Sequence, residues 1–185
     1  MSHVGIDYTP AYEQGAGIGR YVRELVKALA AVDKTTAYHL FAAGAASVDE
    51  LPDPPGRNFT WKPTRISPRW LARIWHRARI PYPVERFVGD VTVFHATDFV
   101  LPPHRAQTRT LLTVHDLSFV LVPETASPRL KQYLDRVVPR SVALADHILA
   151  DSRATKNDLV NLYGTSPEKI TVLLSGVDPR FRPIT

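Results

Sequence analysis

The chain contains no cysteine. That excludes disulfides, thiolate–metal ligation and a cysteine nucleophile, and it fits a reducing compartment. Long apolar runs are also missing. None approaches the roughly 18 residues of a membrane-spanning helix, and no basic start followed by an apolar stretch marks a secretory leader. There is no Gly-x-Ser-x-Gly elbow, which sets aside a serine hydrolase. There is no Gly-Lys-Ser/Thr, which sets aside a Walker A loop. No nucleic-acid-binding motif occurs and the arginines are scattered, so nucleic acid is not an expected partner. No internal repeat is visible.

What remains is ordinary globular material. The 185 residues are 44% hydrophobic and 22% charged, enough for one domain with a substantial core. Twenty-three Lys and Arg against 18 Asp and Glu give a net charge of +5, which favours anionic partners. The 16 prolines fall mostly between periodic segments, where they punctuate loops.

Strands are expected at residues 3–8, 38–42, 59–62, 90–95, 110–114, 147–150 and 170–174. Helices are expected at 17–31, at 68–79 and from Pro128 to about Leu144, the last kinked or split at Pro139. Another is expected from the Ser152 cap to Tyr163, closed by Gly164. Thr9–Ala16 and Ala43–Arg57 read as loops. Strands alternate with helices, and the strands lack an in/out pattern. This argues for a parallel sheet covered on both faces, with ligands at the carboxyl ends of the strands.

Those strand ends carry polar groups. The loop Gly15-Ala16-Gly17-Ile18-Gly19 runs into an amphipathic helix, where free N–H groups and the helix dipole suit a phosphate. It is not a dinucleotide fingerprint: Arg20 stands where a third glycine belongs, and residues 38–42 end without an acid. A purely structural turn stays open as the alternative. His115-Asp116 ends another strand. There the imidazole either serves a sugar hydroxyl or a proton, or is satisfied by neighbouring backbone. His95 and Asp98 sit at the adjacent tip. Together with His115 and Asp116 they lack tight ligand spacing, so no metal is expected. Within 68–79, Leu71, Ile74, Trp75 and Ala78 share one face and Arg69, Arg73 and Arg77 another. This is either a helix packed on the domain with a solvated arginine face or a surface that docks on anionic membrane or a lipid-linked substrate.

The order of Gly17-Ile18-Gly19-Arg20-Tyr21, Val93-Phe94-His95-Ala96-Thr97-Asp98, Thr113-Val114-His115-Asp116, Ala150-Asp151-Ser152 and Gly176-Val177-Asp178 resembles the N-terminal half of the family-4 (group 1) retaining glycosyltransferases. The resemblance implies an α/β, Rossmann-like three-layer sandwich with a mostly parallel sheet, one half of a GT-B architecture. It implies an acceptor-side domain over residues 1–176, with an interdomain linker starting at 177–185 and the donor-binding domain, with its Glu-x7-Glu motif, beyond. It also implies transfer from a nucleotide-sugar donor to the hydroxyl of a glycan or lipid-linked acceptor, without a metal or other cofactor.

By the same resemblance, Gly15, Gly17 and Gly19 face the donor diphosphate and His115 lies near the reaction centre. His95, Asp98, Asp116 and Ser152 are expected to shape the acceptor cleft. The setting expected is cytoplasmic, with Arg69, Trp70, Arg73, Trp75 and Arg77 offering peripheral contact at the inner membrane face. The 185-residue chain alone is expected to be inactive. The rival readings are a noncatalytic module that binds a glycan or phosphorylated ligand, and a nicotinamide-type dehydrogenase domain, against which the broken fingerprint argues.

Overall fold

The computed structural model describes residues 2–178 and 180–183. Pro179, Ile184 and Thr185, part of the stretch expected as linker, lie outside the described residues, as does Met1. Seven strands, β1 (His3–Asp7), β2 (Ala37–Ala43), β3 (Phe59–Thr64), β4 (Val93–Ala96), β5 (Arg109–Val114), β6 (His147–Ala150) and β7 (Ile170–Val172), form one sheet in the order β3-β2-β1-β4-β5-β6-β7. Every pairing is parallel. The winding direction therefore reverses between β1 and β4.

Helices α1 (Thr9–Glu13), α2 (Gly17–Val32), α3 (Pro68–Ala72), α4 (Glu85–Val88), α5 (Ser118–Leu121), α6 (Pro128–Leu144) and α7 (Arg153–Tyr163) connect the strands. Two buried clusters lie against the sheet. Successive residues of a strand point to opposite faces, and along β2 Leu40 and Ala42 belong to one cluster while Phe41 and Ala43 belong to the other. Val22, Val26 and Ala30 of α2 fill the first, and Val137, Val138 and Val142 of α6 the second. This double burial is why the strands show no alternation in sequence.

Three expectations are corrected. Thr9–Ala16 is not all loop, because Thr9–Glu13 is helical. Pro10 sits in the first turn, where its fixed φ favours a helix, and the Asp7 carboxylate accepts the Thr9 N–H at 3.0 Å. The strand expected at 90–95 begins at Val93; before it, Thr92 bonds its N–H and its hydroxyl to the His3 carbonyl at 2.8 and 2.9 Å. Finally, α6 is not split but helical through Pro139 from the Ser127 cap onward.

Candidate functional site

A crevice at the carboxyl end of the sheet is expected where the winding reverses. The ends of β1, β4, β5 and β6 bring Asp7, Thr97, Asp98, His115 and Asp151 to this edge. His115 is the most constrained of them. Its Nδ1 lies 2.8 Å from Asp151 Oδ2 and its Nε2 lies 3.0 Å from the Thr97 carbonyl oxygen. Both partners are acceptors, an arrangement that favours the imidazolium, which donates from both ring nitrogens. Burial alone would lower its pKa, but the Asp151 bond and charge, the Thr97 carbonyl and the nearby Asp98 raise it above the ordinary value. The side chain is 9% exposed, with Tyr21 and Phe99 edge-on at ring separations of 5.1 and 5.5 Å.

His95 is in the opposite state. It is buried and points away from Phe94's cluster, with Nε2 at 2.8 Å from the Thr113 hydroxyl. Tyr21 OH reaches the same hydroxyl at 3.5 Å. Burial and the neighbouring charge of His115 push the His95 pKa down to about 4, so it is neutral beside a charged partner. Asp7 and Asp98 face each other electrostatically across the winding reversal. Burial, then Asp98 and Glu13, push Asp7 up to about 6 against its bonds from Thr9. Burial also raises Asp98, opposed by His115.

Asp116 is exposed and accepts the Ser118 N–H at 2.8 Å, shaping the entry to α5. Ser152 caps α7: its hydroxyl accepts the Thr155 N–H at 3.0 Å, and the Thr155 hydroxyl donates to the His115 carbonyl at 3.0 Å. Both residues thus shape the loops around the histidine.

The glycine loop joins α1 to α2. None of its three glycines has a positive φ, so space rather than left-handed backbone explains them. A Cβ on Gly19 would sit 2.1 Å from the Gln14 carbonyl oxygen and 2.8 Å from that of Pro10. Gly15 and Gly17 face open space. Arg23 ties the loop by donating to the Ala11 and Gln14 carbonyls at 2.8 and 3.0 Å. The N-cap of α2 is Ala16, which offers no side-chain bond, so no side chain caps the first N–H groups of this 16-residue helix. Arg20, one turn in, pairs with Asp178 of the tail at 3.8 Å.

The 68–79 segment packs through Leu71, which is buried, and through Trp75, which lies against Phe41 and Phe87 and donates Nε1–H to the Tyr82 carbonyl at 2.8 Å. Trp70 is 56% exposed, with the Arg73 guanidinium 4.8 Å over its ring. After α3 the chain widens into a π-helical turn, Arg73–Arg77. Among the described residues no helix is long and apolar enough to cross a membrane, and no group of three or more His, Asp or Glu is placed to hold a metal.

Asp7, Thr97, Tyr21 and Asp151 complete the cluster and were not among the expected site residues. Asp7 and Asp151 carried a usable signal, a polar residue ending an apolar strand. Thr97 acts through its carbonyl and left none.

A wholly parallel, doubly wound sheet with its polar side chains gathered at one end defines the class: a Rossmann-like α/β domain of the kind that forms half of a GT-B enzyme. Residues 15–181 match the family model described as Glycosyltransferase Family 4, and the chain belongs to that family. It is also 26% identical over 164 residues to the O-antigen chain mannosyltransferase B of Escherichia coli, an alignment that covers 83% of this chain and 42% of the relative. The chain therefore spans less than half the length of that curated relative.

Proposed function

We propose that this chain is the acceptor-side domain of a retaining sugar transferase, working with a second Rossmann-like domain that holds a nucleotide-sugar donor. The observation that supports this reading is the uncapped N-terminus of α2 beside a cleft floor carrying the His115 imidazolium. Breaking a sugar–diphosphate bond develops negative charge on the leaving phosphate. Preorganised N–H donors and a fixed cation stabilise that charge without reorganising. In this reading the backbone at Gly15, Gly17 and Gly19 approaches the donor diphosphate. His115, with both nitrogens already donating, acts by its charge and by holding the donor sugar's surroundings in place rather than as a base. The acceptor hydroxyl enters past Asp98, and no metal is required.

The named relative makes a nucleoside diphosphate mannose the first donor to try. The chain alone is expected to show little or no transfer, with turnover appearing when a donor-binding domain is joined to it. Robust transfer by residues 1–185 alone would end the two-domain reading. In the joined enzyme, His115→Ala should lower kcat at least about a hundredfold. A folded variant with unchanged kinetics would remove His115 from the mechanism.

A further inference from the structure

A second feature lies away from the strand tips. Arg69, Arg73 and Arg77 stand four residues apart along the 68–77 helix, and Arg129 and Arg136 seven apart along α6. Each spacing keeps a row on one helix face. The two rows line one groove of about 800 Å³, and no carboxylate lines it. None of the five guanidinium groups is in an ion pair among the described residues; Glu13 lies within the field of Arg69 alone. Like charges in facing rows repel, and nothing inside the groove neutralises them. The turn that carries Arg73 and Arg77 is π-helical, with Ala78 N–H donating to the Arg73 carbonyl at 2.8 Å, a distortion concentrated at functional sites.

We propose that this groove is a diphosphate-binding site and that the acceptor is a glycosyl diphosphate, its phosphates held between the two arginine rows. The acceptor part rests on the acceptor-side reading above. Guanidinium groups fork onto phosphate oxygens in pairs, and five of them exceed what one phosphate can engage. The groove is recessed between two helices rather than a convex apolar face. Trp75 is turned inward, and Trp70 lies beneath the Arg73 guanidinium, an arrangement for presenting cations rather than for inserting a bare ring into lipid.

The groove also leads to the reaction edge. Ala72, His76 and Tyr133 line both it and a neighbouring pocket of about 110 Å³ that contains Asp7 and Thr9. Burial, then the charge of Asp98, pushes the Tyr133 hydroxyl up to about 12, so it remains an O–H donor at the junction. A molecule held by its phosphates in the groove extends its sugar along this route to the tip of β1.

Calorimetric titration of the chain at low salt with inorganic pyrophosphate and with inorganic phosphate tests the site. Pyrophosphate is expected to bind at least about tenfold more tightly than phosphate. Arg73→Ala combined with Arg136→Ala, one from each wall, should weaken pyrophosphate at least about tenfold and flatten the salt dependence. Arg65→Ala, outside the groove, should change neither.

No pyrophosphate binding, or binding that survives loss of Arg73 and Arg136, overturns the site. Phosphatidylglycerol vesicles separate the alternative source of phosphate. Sedimentation that pyrophosphate displaces and the double variant abolishes supports the groove. Sedimentation that ignores pyrophosphate and falls only with Trp70→Ala makes the surface a membrane contact and overturns the proposal. The titrations need no transfer reaction. Groove binding in an enzyme that transfers no sugar to a glycosyl diphosphate would therefore remove the acceptor assignment and leave the site standing.

Discussion

Of the helices that start at this edge of the sheet, α2 and α7 start differently. At α7 the Ser152 hydroxyl accepts the Thr155 N–H, and the Thr155 hydroxyl in turn grips the His115 carbonyl. At α2 the corresponding residue is Ala16, with no side chain to offer. One start has its orphan donors answered from within and stabilises the fold. The other leaves them for something outside. The difference separates the part of the edge that holds its shape from the part that is free to bind, although both sit beside polar strand ends.

The largest expected effect probes what builds the open start. Gly19→Ala should destabilise the chain by about 3 kcal/mol, read by urea unfolding, because its Cβ would collide with two carbonyl oxygens. Gly17→Ala, two residues earlier and facing open space, should shift stability by less than about 1 kcal/mol. Equal effects would mean that the loop is not held against α1 as described.

Next comes the closed side. Asp151→Asn removes the charge that sustains the His115 imidazolium, so the ring should titrate at lower pH when followed by NMR. Because the folded pKa lies above the ordinary 6.5, the stabilisation is fully present below that value and fades as pH rises through the folded one. The variant should therefore lose about 2 kcal/mol near pH 6 and progressively less as the pH rises through the folded pKa. A loss independent of pH would show that the pair is not ionic.

The smallest effects make the comparison directly. Ser152→Ala should cost about 1 kcal/mol, while Ala16→Asp, which gives α2 the cap it lacks, should gain about 0.5–1 kcal/mol. In an active two-domain enzyme the same Ala16→Asp should weaken the donor, since a carboxylate would then occupy the place proposed for a diphosphate. Stabilisation with unchanged donor affinity would move the diphosphate elsewhere.

Local signals were legible in the sequence. Ser152 as a cap, Gly164 with its φ of 62° at the end of α7 and the strand at 147–150 each depend on a few neighbouring residues. Thr9–Glu13 was not legible, because Pro10 reads equally as loop punctuation and as a first-turn residue. The site was half legible. Polar residues at strand ends pointed to His95 and His115, but nothing local could say that one is charged and the other neutral. That depends on Thr97, Thr113 and Asp151, which come from other parts of the chain. The arginine groove needed the fold more than anything else: Arg69, Arg73 and Arg77 read as a helix face, and only the packing of α6 brings Arg129 and Arg136 opposite.

The two hydrogen bonds made by the His115 ring also have a mechanical side. One ring reaches the loop after β4 through Nε2 and the end of β6 through Nδ1, while its own backbone continues β5. Three adjacent strand ends are thus braced by one rigid five-membered spacer whose bond lengths tolerate only tenths of an ångström. The three strand ends at the floor of the cleft are thereby held at fixed separations, and the start of α7 is held with them through the Thr155 hydroxyl.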